Sequence, residues 1–350
     1  GPEVDLFARA AGRGLDVRVL NSLQRAIDPW KDWSAYRSLR RMIADVRPEV
    51  VHTHSSKAGI LGRAAAHACR VPAVVHTIHG LPFHPYQGRL VNAAYVAAER
   101  WAARRCHRII TVADAMRDQA VAAGVAPPSK FVTIYSGMDV ESFLRPARSR
   151  AEVRGELGIR EDQIVVGKIA RLFELKGHDD VISAAKELAA QAPKVLFLFV
   201  GGGTWRDRLQ ERIAREGLQS RFLFTGLVPA ARIPELIAAM DVVVHASYRE
   251  GLARVLPQAL ISGKPVVSYD VDGAREVVVT GETGFLVPAG DVGGLAEALR
   301  RLTSDPELRE RLGKEGRRRW VDPFRHETMT ARIRDVYLEI LQRRPSAERH

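Results

Sequence analysis

The chain has 350 residues, more than one hydrophobic core usually serves and enough for two domains. Hydrophobic residues make up 46% and aromatic residues 7%, the balance of a globular protein, and no apolar run reaches the roughly 18 residues that a membrane-spanning helix needs. Lys and Arg number 53 against 41 Asp and Glu, a net charge of +12, but the arginines are scattered and not interleaved with aromatic side chains, which argues against a nucleic-acid surface.

An anionic membrane face or an anionic small molecule fits that charge, and so does the absence of any charged partner. The two cysteines, Cys69 and Cys106, lie inside helix-like apolar patterns and read as buried free thiols of a reducing, cytoplasmic setting.

A parallel α/β domain would open with a strand, a Gly-rich turn and a helix. This chain starts G-P-E-V-D-L-F-A-R-A, without Met, and reads as N-terminally truncated, with that opening segment expected upstream. Residues 15–20 (LDVRVL) suit a strand and residues 32–45 a helix, which Pro48 ends. A strand at 50–52 and its loop HSSKAG lead into a small-residue helix at 60–68. The strand 73–78 (AVVHTI) runs into His79-Gly80-Leu81-Pro82-Phe83-His84, and a long amphipathic helix follows at 90–105. A strand at 108–112, a helix capped by Asp114 and a strand at 131–135 complete this half.

Ser136-Gly137-Met138-Asp139 is a turn, and the unpatterned 146–151 (PARSRA) marks the junction. The second half restarts with the strand 164–169 (IVVGKI), the loop R-L-F-E-L-K-G and a helix at 179–191. The strand 195–200 ends in Gly201-Gly202-Gly203-Thr204; a further helix, a strand at 222–225 and a helix at 231–240 come next. The buried strand 241–246 (DVVVHA) leads to residues 247–263, SYREGLARVLPQALISG, which read as a loop and a helix stopped by Gly263 and Pro265. Another short strand, a turn at 281–284, a helix at 292–302 and a terminal helix at 327–343 close the chain. Alternating strands and helices predict two parallel doubly wound sheets, in domains 1–145 and 146–325, with residues 326–350 crossing back onto the first.

Arg171 and Lys176, five apart on a loop above a sheet edge, can close on a diphosphate, Arg as a fork and Lys as a point charge. Gly202 and Gly203 permit close backbone approach to a ligand. The helix following Glu250 aims its N-terminus, near Ala253, at whatever sits over the sheet. The histidine pairs His52/His54 and His76/His79 lack a carboxylate or cysteine at ligand spacing, so no metal site is expected. The helix 90–105, with Arg100, Arg104, Arg105 and Trp101, suits either a basic solvent face or an anionic membrane surface.

The run S-Y-R-E-G-L-A-R-V-L-P-Q-A-L, together with H-T-H-S-S-K-A-G-I-L-G-R, H-T-I-H-G-L-P-F-H, S-G-M-D and R-L-F-E-L-K-G, resembles the retaining GT-B glycosyltransferases, whose motif pairs two glutamates seven residues apart. Here the first is Glu250 and the second position holds Gln258, which can bond a ribose hydroxyl without charge assistance.

The resemblance implies two Rossmann-like domains facing across a cleft. It implies transfer of a sugar from a UDP- or GDP-linked donor to a hydroxyl of a glycan or lipid-linked acceptor, with retention and with no cofactor or metal. Surface polysaccharide or glycolipid synthesis at the inner face of a bacterial membrane is the expected setting. It gives Arg171 and Lys176 to the diphosphate, Glu250 to the donor sugar and His79 to the sugar or acceptor. It places Gly202, Gly203, Thr225, Gly226, Leu227, Gly251, Leu252, Ala253 and Gln258 around the nucleotide. A non-catalytic nucleotide- or glycan-binding module of the same fold is the alternative; a nicotinamide dehydrogenase would need a G-x-G-x-x-G turn that the chain does not show.

Overall fold

The computed structural model describes residues 10–24 and 26–343. In the first lobe the elements run α1 (Pro29–Val46), β1 (Val50–His54), α2 (Ser56–Ala68), β2 (Ala73–Ile78), α3 (Arg89–Ala103), β3 (Arg108–Thr111), α4 (Asp114–Ala122) and β4 (Phe131–Thr133). Every pairing is parallel, in the order β1-β2-β3-β4. All six residues of β2 are buried, because helices cover both faces of a parallel sheet and leave no solvent side to alternate with. Helix α1 starts earlier than its apolar pattern suggests: Asp28 accepts hydrogen bonds from the N–H groups of Trp30 and Lys31, and Pro29 opens the first turn.

Two short helices, α5 (Glu141–Leu144) and α6 (Arg150–Glu156), carry the chain across. Ser149 and Glu152 form a reciprocal capping box on α6. The second lobe continues with β5 (Ile164–Ile169), α7 (His178–Leu188), β6 (Val195–Val200), α8 (Arg206–Arg215), β7 (Phe222–Gly226), α9 (Ile233–Ala239), β8 (Val242–His245), α10 (Val255–Ile261), β9 (Val266–Tyr269), α11 (Ala274–Val277) and β10 (Gly284–Val287). Helices α12 (Val292–Ser304), α13 (Pro306–Trp320) and α14 (His326–Gln342) complete the chain. The sheet order is β10-β9-β8-β5-β6-β7. The chain therefore winds outward in one direction from β5 and in the other from β8, and the crevice for a ligand falls between the carboxyl ends of these two strands.

Two hydrophobic clusters sandwich the second sheet and two sandwich the first. The last helix packs on the first sheet, where Val336 and Ile340 meet Ala73, Val75 and Ile110.

The structure differs from the expected elements in several further places, beginning with α5 and with α6, which starts inside the segment read as unpatterned. Residues 15–20 form no strand; Leu15 and Val19 are exposed, and among the described residues no strand pairs with them, without which an extended segment has no ladder to join. Strand β10 replaces part of an expected turn and lies at the sheet edge beside β9. Helix α13 was not expected: its sequence is charged almost all round and buries only Leu312, Gly313 and Gly316. Local signals start it all the same, for Pro306 opens the first turn and Asp305 Oδ1 accepts the Leu308 N–H at 2.9 Å.

Candidate active site

The loops that leave β5 and β8 meet at the switch point. Gly177 links the first loop to α7 in the left-handed region, at φ +61°. A Cβ there would stand 1.8 Å from the Ala246 carbonyl oxygen, so only glycine lets the two loops close on each other. That approach brings Lys176 and Glu250 together as an ion pair, both side chains largely buried. The Glu250 backbone N–H donates to Asp272 Oδ2 at 2.7 Å, while Gln119 Nε2, from the first lobe, donates to Oδ1 at 2.8 Å. Asp272 itself sits at φ +47°, an uncommon conformation for a non-glycine residue that is stabilised here by bonds from both lobes.

Opposite lies His79, one residue past β2. Its Nε2 is 3.0 Å from His54 Nδ1, and the two rings stack with centroids 5.3 Å apart. Burial lowers the pKa of both rings; Arg254 adds to the effect on His79, and His79 adds to the effect on His54. His52, on the same strand end, is pushed down to about 4 by burial and by its histidine neighbours. All three shifts disfavour the imidazolium form. Among the described residues no three His, Cys, Asp or Glu side chains are placed to hold a metal ion.

Between the lobes lies a cleft of about 820 Å³, lined by His79, His84 and Tyr86 on one side and by Lys176, Glu250 and Gly251 on the other. The lobes approach closely at Gly251, where a Cβ would lie 2.8 Å from Met116 Sδ and 3.2 Å from the His79 carbonyl oxygen. Three cross-lobe contacts hold this closure. Arg249 donates to the Leu81 carbonyl at 2.8 Å, Gln119 reaches Asp272, and the Glu276 carboxylate accepts the Asp114 and Ala115 backbone N–H groups, each at 2.9 Å. The last is an anion on the N-terminus of α4, supplied by the other lobe.

Of the residues expected in the site, His79, Lys176, Glu250 and Gly251 line the cleft together. Arg171, at the far end of the Lys176 loop, is exposed, with its guanidinium 5.2 Å from the centre of the Phe173 ring. Gly202 and Gly203 border the same edge; the Leu172 N–H donates to the Gly202 carbonyl at 2.9 Å, and a Cβ on Gly203 would meet the Leu172 carbonyl at 2.3 Å. Thr225 turns its hydroxyl to the Gly226 carbonyl, and Leu227 beyond it is 86% exposed. Leu252 and Ala253 pack in the core, Leu252 against both lobes. Gln258 lies half-buried in α10, which starts at Val255 and has only seven residues, so the dipole available there is small.

Sequence reasoning missed several participants. Asp180 Oδ2 accepts hydrogen bonds from Tyr248 and Tyr269, both at 2.7 Å, and so braces the β8 loop against α7. Lys168, His178 and His245 lie buried beneath the Lys176–Glu250 pair. The signal for Lys168 and His245 was present: a lysine in IVVGKI and a histidine in DVVVHA interrupt otherwise apolar strands.

Two parallel-sheet Rossmann-like lobes with a cleft at a switch point define a GT-B type α/β protein. Residues 149–319 match the family model for glycosyl transferases group 1, and residues 1–137 match the glycosyl transferase 4-like domain. The chain is similar to the UDP-Gal:α-D-GlcNAc-diphosphoundecaprenol α-1,3-galactosyltransferase of Escherichia coli, 30% identical over 324 residues that span 91% of this chain and 83% of the relative. The capsular polysaccharide biosynthesis glycosyltransferase CapM of Staphylococcus aureus is 24% identical over 339 residues, 92% of this chain and 86% of CapM. Among solved structures, Anabaena HepE in complex with UDP superposes with a TM-score of 0.83 at 24% identity, covering 95% of this chain and 89% of HepE. The chain belongs to the group 1 glycosyltransferase family.

Proposed function

We propose that this glycosyltransferase moves a sugar from a nucleoside diphosphate sugar to a hydroxyl of a glycan or lipid-linked acceptor, with retention at the anomeric carbon, in bacterial surface polysaccharide or glycolipid synthesis. The observation that carries the reading is the Lys176–Glu250 pair at the switch point, facing His79 across the cleft. The names of the relatives support it: the E. coli enzyme uses UDP-Gal and a diphosphoundecaprenol acceptor, and HepE has been crystallised with UDP-glucose.

Charge builds on the diphosphate as the glycosidic bond to the donor breaks. Lys176 offers a partly desolvated ammonium to that charge, and Arg171 swings from the Phe173 face to add a bidentate fork. Glu250, released from Lys176, accepts hydrogen bonds from the sugar hydroxyls. His79, whose imidazolium form is disfavoured by partial desolvation and by Arg254, bonds the sugar or orients the acceptor hydroxyl. The cross-lobe bonds at Arg249, Gln119 and Glu276 keep the cleft closed against water that would hydrolyse the donor. Gly202, Gly203 and the turn at Thr225, Gly226 and Leu227 border the nucleotide, and Gln258 meets its ribose.

The acceptor reaches the first lobe from the inner membrane face. Exposed Leu90, Val91 and Trp101 on α3, with Arg105 stacked 3.6 Å from the Trp101 ring centre, suit a peripheral contact with anionic lipid. No helix among the described residues is long and apolar enough to cross a membrane.

A thermal-shift series with UDP and GDP tests the donor site. One of them raises the melting temperature, and Arg171→Ala with Lys176→Ala abolishes the shift; an unchanged shift in the double variant overturns the diphosphate assignment. Proton NMR of the product's anomeric centre tests retention.

A further inference from the structure

Lys168 is the next-to-last residue of β5, the strand on one side of the switch point, and it is 1% exposed. Its Nζ has no hydrogen-bond partner. Close enough to feel its charge are other polar atoms in the same condition: both ring nitrogens of His178 at the start of α7 and both of His245 at the end of β8. An ammonium without a partner is very costly in such a place, so the amine sheds its proton more easily than an exposed one would. Burial first, then Lys176, with Asp180 and Glu250 opposing them, lowers the Lys168 pKa to about 7. His178 and His245 face it as well, and burial beside Lys168 and Lys176 holds both rings neutral.

Neither nearby carboxylate is free to serve Lys168. Asp180 is occupied by the hydroxyls of Tyr248 and Tyr269. Glu250 is occupied by Lys176, although His245 Nε2 also lies 3.8 Å from its Oε1. Lys168 is therefore a second cation in reserve behind a carboxylate whose first partner is the group that a diphosphate would claim.

We propose that Lys168 is a positioning residue for Glu250: when the donor's diphosphate draws Lys176 away, the Lys168 amine takes a proton from solvent and, with His245, holds the freed carboxylate beneath the sugar. This rests on the donor reading given above. The incoming diphosphate adds negative charge over the cluster, and the release of Glu250 gives Lys168 an unpaired carboxylate to face. Both changes favour its ammonium form. Donor binding is then linked to uptake of about one proton in the range above pH 7, and affinity falls as pH rises there, by up to about tenfold per unit.

The linkage is measured by titration calorimetry with UDP and with GDP between pH 7.5 and 9, in buffers of differing ionisation enthalpy. That range is well above the nucleotide's own phosphate pKa of about 6. For the wild-type chain the expected result is proton uptake with the nucleotide that binds, and an affinity that declines with pH. Lys168→Met keeps the apolar stem and removes the amine; uptake should vanish and the affinity should become flat over the same range.

Turnover adds a second reading. Because Glu250 is then held less well under the sugar, Lys168→Met should lower kcat more than it raises the donor KM. Binding without proton uptake, or uptake that persists in Lys168→Met, overturns the role of Lys168 and leaves the donor site standing. Binding of neither nucleotide overturns the donor site, and the Lys168 role falls with it. The wild-type titration needs no variant, so the proposal stays open to refutation even if Lys168→Met folds badly.

Discussion

Gly177 and Lys168 show how single positions shape the cleft. At Gly177 the constraint is steric: any side chain would drive Cβ into the Ala246 carbonyl, and the backbone lies in a region that L residues avoid. Gly177→Ala should therefore separate the two loops, abolish nucleotide binding and lower the melting temperature, all read in one thermal-shift titration.

At Lys168 the constraint is electrostatic, and its sign can be worked out. An unfolded lysine titrates near 10.5 and the folded one near 7. Between those values the unfolded chain holds a proton that the folded chain lacks, so this residue makes stability rise with pH through that window, and its full cost is present below 7. Lys168→Met should raise the melting temperature at pH 7 by several degrees, with the advantage shrinking toward pH 10. A melting-temperature difference that stays constant with pH would contradict the burial account. The loop residues Arg171, Lys176 and Glu250 were legible because their spacing and chemistry stand out in sequence. Lys168 and His245 left only a weak mark, a polar residue interrupting an apolar strand, and the sequence does not say which groups they face.

At the scale of elements, the doubly wound pattern was readable because buried strands and amphipathic helices alternate almost without interruption. The failures share a cause. Residues 15–20 have strand composition but no neighbour to pair with among the described residues, and α13 has a charged sequence whose few buried residues only the tertiary packing reveals. Once in place, α13 serves α10: Arg317 donates from Nε to the Ile261 carbonyl at 3.1 Å and from its terminal nitrogen to the Ser262 carbonyl at 3.0 Å. These are the carbonyls that a short helix leaves without intrahelical partners. The reverse arrangement operates between lobes, where Glu276 supplies the N-terminus of α4. Glu276→Ala should cost about 1 kcal/mol in urea denaturation, in line with the loss of a capping side chain. It should also increase the radius of gyration in solution scattering; an unchanged radius would show that the cap does not hold the cleft shut.

For the whole molecule, the decisive feature is that α14 follows the second lobe in sequence but packs on the first. Val336 and Ile340 are buried there, Tyr337 bonds His52, and Arg108 Nη2 meets Glu339 Oε1 at 3.0 Å. Removing the chain after residue 325 would expose that face of the sheet, and the truncated protein should unfold at lower urea concentration and self-associate in size-exclusion chromatography. The sequence suggested the return of this helix but not its companion contact, the side-by-side passage of the two connecting segments. There the Met138 N–H donates to the Phe324 carbonyl at 2.8 Å, and Gly137 passes so close to His326 that a Cβ would lie 2.6 Å from its Cα.

Two tethers running side by side behave as the leaf of a door and not as a swivel. Such a pair should allow flexing about one line and resist torsion, leaving the lobes a single easy coordinate along which to part. A pair of spin labels set on opposite rims should then report one smoothly shifting separation, and cutting the backbone at only one of the tethers should leave the halves travelling together.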